Sequence, residues 1–165
     1  MRVRLAFSLI VLGFGLVLAK SSAFYSLGLL APVLTLPAKG DFEAMAANLT
    51  KKGSRALAPA SLTGKSGVKH EFAFAVVPDS GKAKIVIDTE LSVKEVDEMK
   101  VLKFYVKVFD VGPEKAVLCV TPKLGERAAT LAKEYGIVVI EDETPRNLVA
   151  KAEEMVNNTM KPGGA

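Results

Sequence analysis

Residues 68–77 read VKHEFAFAVV, residues 78–82 read PDSGK, and residues 83–91 read AKIVIDTEL. The two outer runs are rich in β-branched and aromatic residues and flank a Pro-Asp-Ser-Gly turn signal, which predicts a β-hairpin. Downstream, SVKE (92–95) has capping-box spacing and opens an apolar-periodic stretch with Val93, Val96, Met99, Val101, Leu102, Tyr105, Val106 and Phe109, predicting a helix ended by 110–113 (DVGP). AVLCV (116–120) reads as a buried strand, 124–135 as a helix closed by Gly136, IVVI (137–140) as a second buried strand, and Thr144-Pro145 starts a terminal helix to about Val156. A hairpin that feeds two crossover helices is an α/β arrangement with a mixed sheet and helices packed against it.

Upstream of the hairpin, residues 41–52 place Phe42, Met45, Ala46 and Leu49 at helical spacing, with Asp41 as N-cap and Gly53 as stop. Residues 53–67, GSRALAPASLTGKSG, are rich in Gly, Ser, Ala and Lys and read as a flexible linker. The expected organisation is an anchor over 1–38, a basic juxtamembrane helix and linker over 39–67, an α/β domain over 68–160 and a flexible tail over 161–165.

The anchor is read from MRVR (1–4) followed by fifteen uncharged, mostly apolar residues (5–19), and from a second apolar run, 24–38. Two short spans in a hairpin account for both runs. Arg2 and Arg4 then share a side with Lys39, Lys51, Lys52 and Arg55, so the positive-inside rule places the domain in the cytoplasm, with the lipid bilayer as partner. A single tilted helix over about 3–19 would instead send the domain outward, and cleavage as a signal peptide after SSA (21–23) is a further alternative.

The net charge of +4 is unevenly spread. Residues 1–38 hold Arg2, Arg4 and Lys20 with no acid, residues 39–70 hold six Lys or Arg against Asp41 and Glu43, and residues 71–165 hold 13 bases against 16 acids. The body of the domain is therefore mildly acidic, which argues against a strongly basic DNA-binding face. Cys119, the single cysteine, excludes an intramolecular disulfide and a multi-cysteine metal site, and reads as a buried structural thiol. No phosphate loop, nucleophile elbow, zinc spacing or dinucleotide fingerprint is present.

Four stretches, GVKHEF (67–72), IVIDTE (85–90), residues 96–118 and LAKEYGIVVIE (131–141), resemble the archaeal Mrr-like branch of the PD-(D/E)xK restriction-endonuclease superfamily. That family has a core of a helix, a three-strand meander, a helix and a further strand. The resemblance implies a restriction-endonuclease-like mixed sheet behind the membrane segment. It also implies a divalent-metal site, an acid on one strand and a (D/E)xK triplet on the next, the lysine helping to activate water. Here Ala73 and Ala75 stand where the acid is expected, and Asp88-Thr89-Glu90 carries glutamate in place of lysine.

Asp88 and Glu90, two apart on a strand, share a face. They are the candidate catalytic and metal-ligating pair, with His70 a further catalytic candidate. The bland alternative sets them against solvent or against the lysines of the next helix. Two readings from different classes follow. In the first, the domain has lost catalysis, holds no cofactor, and acts as a membrane-anchored binding or scaffolding module for DNA or a membrane-associated protein. In the second, it is an active Mg²⁺-dependent endonuclease using Asp88, Glu90 and Glu71 or His70, with a relocated lysine such as Lys84 or Lys103. An exported surface interaction domain is the third possibility, tied to the sequons at Asn48 and Asn157.

Overall fold

In the computed structural model, the described residues are 39–51 and 53–160, and they form helices packed around a five-stranded sheet, with a smaller two-stranded sheet beside it. Helix α1 (Lys39–Lys51) leads into β1 (Ala56–Leu57), β2 (Ala60–Thr63), β3 (Lys69–Phe72), β4 (Phe74–Val76) and β5 (Ile85–Leu91). Then follow α2 (Glu98–Val111), β6 (Lys115–Thr121), α3 (Glu126–Glu134), β7 (Val138–Glu141) and α4 (Pro145–Met160). The expected anchor, 1–38, and the expected tail, 161–165, lie outside the described residues. Among the described residues no helix is long and apolar enough to cross a membrane.

The sheet runs in the order β1-β4-β5-β6-β7. β1 pairs antiparallel with β4 and β4 antiparallel with β5, while β5, β6 and β7 are mutually parallel. The mixed sheet expected from sequence is therefore present. Side-chain alternation divides the core in two. Val86, Leu118 and Val120 face Val101 and Phe104 of α2 and Ala128 and Ala132 of α3. Phe74, Ile85, Ile87, Val117 and Cys119 face α1 and α4, which bury Phe42, Met45 and Leu49, and Leu148, Ala152 and Val156.

Several local expectations need correction. The run 68–77 is not one strand: β3 pairs with β2 in a separate two-stranded sheet, from Ala60↔Phe72 to Thr63↔Lys69, and only β4 joins β5. The segment read as a flexible linker contains β1 and β2, and buries Ala60. A small methyl fits where the hairpin meets the sheet, so composition alone gave no apolar signal there. Helix α1 begins at Lys39, putting Asp41 inside the first turn rather than at the cap.

Helix α2 begins later than the SVKE spacing predicts. Asp97 is the N-cap, its carboxylate accepting from the Lys100 N–H, whereas Ser92 accepts only the local Lys94 N–H. The intervening residues bend at Val93 and Lys94, and Val96 is bridged to Leu124. Gly112, at φ 66°, closes α2 by donating to the Val108 carbonyl, a left-handed cap suited to glycine. β7 is an edge strand with Val138 exposed, not a buried one, because no described strand lies on its outer side. The Pro-Asp-Ser-Gly segment is the expected turn: the Gly81 N–H donates to the Pro78 carbonyl at 2.9 Å.

Candidate functional site

The register of β5 points Ile85 and Ile87 toward α1 and α4, which sends Val86, and then Asp88 and Glu90, toward α2. Helix α2 meets them with lysines seven residues apart, two turns along one face. Lys107 Nζ donates to Asp88 Oδ2 at 2.5 Å and also to the Glu71 carbonyl at 2.7 Å, and lies 5.0 Å from the centroid of the Phe72 ring. Lys100 Nζ donates to Glu90 Oε2 at 2.8 Å, and this bond holds the lysine's pKa above its ordinary value. Each candidate carboxylate is thus matched by an ammonium from the next helix.

His70 takes no part in this row. It lies on β3 with Nε2 at 2.7 Å from Asp110 Oδ2, at the far end of α2. The same carboxylate accepts from the Ser66 hydroxyl at 2.6 Å and the Ser66 N–H at 2.8 Å, and the Lys65 N–H donates to the Asp110 carbonyl. Asp110 therefore fastens both the 64–68 loop and β3 to α2. This hub carried no sequence signal, because His70 and Ser66 lie 40 and 44 residues from Asp110. The donors on Asp110, foremost the Ser66 hydroxyl and then His70, lower its pKa from the usual carboxylate value to about 2.

Gly64 belongs to the same knot. A Cβ there would collide with the Asp110 carboxylate, whose Oδ1 would lie only 2.9 Å away. A carboxyl with a depressed folded pKa contributes stability that is fully present above its unfolded value of about 4 and is lost as pH falls toward the folded value. Between about pH 4 and pH 2 the protein should lose the Asp110 contribution. Gly64→Ala, by displacing the carboxylate, should flatten that part of the pH–stability curve. Denaturant unfolding of both proteins at several pH values checks this, and identical curves would contradict it.

The other lysines proposed as relocated partners lie elsewhere. Lys84 donates its backbone N–H to the Val76 carbonyl beside the turn, and Lys103, exposed on α2, bonds neither Asp88 nor Glu90. Lys107, which the sequence reading passed over, is the residue at Asp88. Its signal was the spacing of Lys100, Lys103 and Lys107 on one side of α2. Ala75 is fully buried under α2 and Ala73 precedes β4, so neither supplies an acid. Cys119 is fully buried on the α1/α4 face, where desolvation, with a smaller push from the Asp88 charge, raises its thiol to about 12. It remains a protonated structural thiol at neutral pH.

A magnesium ion of the kind the resemblance implies needs several oxygen ligands converging on one point. Among the described residues no group of three or more His, Cys, Asp or Glu side chains is placed to hold a metal. Asp88 turns Oδ2 to Lys107 and Oδ1 to the Thr89 N–H, Glu90 turns Oε2 to Lys100, and His70 presents its ring to Asp110. The residues present do not fit the ion.

No protein-family model matches the sequence, and no curated protein matches it. Among similar solved structures are the following two. A crystal structure of a protein of unknown function, AF1548, is 16% identical with a TM-score of 0.49, the match covering 69% of this chain and 66% of that one. The MspJI restriction endonuclease in complex with a 27-mer oligonucleotide is 16% identical with a TM-score of 0.41, over 84% of this chain and 32% of that one. The chain thus spans just under two thirds of the first and about a third of the second. Both TM-scores fall below 0.5, so neither structure assigns this chain an activity or a ligand.

Proposed function

We propose that the chain is a membrane-tethered binding module built on a restriction-endonuclease-like scaffold that has given up metal-dependent cleavage. The scaffold reading is supported by element order. Helix α1, the antiparallel succession β1, β4 and β5, helix α2 and the parallel strand β6 reproduce a helix, a three-strand meander, a helix and a further strand, with the β2–β3 hairpin inserted after the first strand. In that order β4 and β5 are the strands that would carry the catalytic acids.

The observation that carries the loss of catalysis is the pairing of Asp88 with Lys107 and Glu90 with Lys100. Each lysine neutralises a carboxylate that a cation would need, and Ala73 and Ala75 leave the preceding strand without an acid. The tether reading is supported by the two uncharged apolar runs before Lys39, and charge placement in the sequence favours the cytoplasmic side. The partner in this reading is a protein or nucleic acid brought to the bilayer.

Thermal unfolding of the full chain with and without millimolar magnesium tests the site. A ligand that binds only the folded state raises the midpoint in a saturable way. The expected midpoint is unchanged by the ion. A saturable rise that disappears in Asp88→Asn would replace this reading with the active nuclease, for which Lys107 stands where a relocated lysine would be needed.

A further inference from the structure

Helix α2 carries two apolar stripes where a helix covering a sheet needs one. Val101 and Phe104 are buried against the sheet, while Met99, Leu102, Val106 and Phe109, spaced three, four and three apart, form a second stripe turned to solvent. Phe109 is 69% exposed, Val106 57% and Met99 54%. At the Phe109 end, the loop knotted to α2 by Asp110 adds Val68, itself 54% exposed. A run of large apolar side chains along one exposed helix face marks an interaction surface rather than chance exposure.

The charges beside the stripe are mostly basic, although Glu71 is exposed on the same face of β3 as Lys69. Lys100 and Lys107 are committed to Glu90 and Asp88, but Lys103 is exposed and forms no ion pair with a described residue, and Lys65 and Lys69 are exposed on the loop and strand fastened to α2. The acid at that end, Asp110, is occupied by Ser66 and His70. Glu98 and Asp97 lie at the opposite end, in the first turn and at its cap. Apolar side chains flanked by lysines match the interface of an anionic bilayer, where the former enter the headgroup boundary and the latter meet lipid phosphate and carboxylate.

We propose that the outer face of α2, with the 64–68 loop, lies on an anionic lipid bilayer and sets the domain's orientation on it. The proposal rests on the tethered reading above. The 38 residues before Lys39, with uncharged apolar runs at 5–19 and 24–38, would hold the domain within about a domain's radius of the bilayer, where even a weak surface is engaged at high effective concentration. A second copy of the chain fits the stripe less well. A two-fold axis through the stripe's middle, close to residue 104, brings Lys103 beside its own symmetry mate.

The sequence contains no tryptophan, so Phe109→Trp in the full chain creates a single fluorescent reporter at an exposed position. The protein is reconstituted with vesicles of phosphatidylcholine alone, or mixed with phosphatidylserine, with and without brominated acyl chains. In anionic vesicles the emission should shift to the blue and be mostly lost to bromine, less so in neutral vesicles and less so with Lys103→Glu. Glu154→Trp, exposed on α4 in the opposite layer, should stay unquenched. Vesicle-bound protein whose Phe109→Trp reporter emits as in water, or is quenched no more than the α4 reporter, overturns the proposal. So does a blue shift that bromine does not quench and that grows with protein concentration, which would mean a second copy covers the stripe. Failure of the full chain to associate with vesicles removes the tether reading and this proposal together, and is distinguished by co-sedimentation.

Discussion

Phe74→Ala should lower the stability of the domain by about 3–5 kcal/mol, measured by denaturant unfolding at neutral pH. Phe74 is fully buried on β4, opposite Ile87 of β5, and its ring packs tilted against Phe42 of α1 at 6.3 Å between centroids. Truncation removes the transfer free energy of the ring and leaves a cavity that the sheet backbone cannot close. Such a loss is a large part of the roughly 5–15 kcal/mol that holds a domain of this size. Val93→Ala, at a side chain 82% exposed, should change stability by less than about 0.5 kcal/mol. Equal effects at the two positions would contradict the packing described here, and with it the place of α1 in the core.

Lys107→Met should cost about 1–3 kcal/mol, the range for losing charge-assisted hydrogen bonds at a partly buried site. The side chain joins three things: the Asp88 carboxylate, the Glu71 carbonyl and the Phe72 ring. Methionine keeps the apolar stem over the ring and removes the ammonium, leaving Asp88 without its partner. In a double-mutant cycle with Asp88→Asn, the two losses should be non-additive, because the second substitution removes the charge that the first left unpaired. Additive losses would mean that the pair contributes nothing, as many exposed ion pairs do. Lys100→Met should cost less, since that lysine is more exposed and meets Glu90 alone.

The strands and helices from β5 onward were legible in the sequence because each carries its own signal. Ile85 to Ile87 and Ala116 to Val120 are apolar runs bounded by turn residues, and α2, α3 and α4 bury residues at helical spacing. The region before Phe74 was less legible. β1 and β2 are built from small residues whose burial depends on partners distant in sequence, β1 on β4 and β2 on β3. The break at Ala73, which moves the chain from one sheet to the other, has no glycine or proline to announce it.

The site shows the same division. That Asp88 and Glu90 share a face follows from the two-residue period of a strand. Which lysines they meet depends on the angle and height at which α2 crosses β5, and only the folded chain supplies those. Asp97 displaced Ser92 as the cap because Val96 is bridged to Leu124, which keeps the chain out of the helix up to that point. The Asp110 knot depends wholly on the approach of the 64–68 loop to the end of α2, which Gly64 permits by having no side chain.

In the proposed reading the β5 carboxylates are structural ion pairs rather than metal ligands. Incubation of the full chain with supercoiled DNA and magnesium or manganese tests it most directly, with Asp88→Ala alongside. Both proteins should leave the DNA intact. Magnesium-dependent cleavage by the unaltered chain, abolished by Asp88→Ala, would contradict this reading.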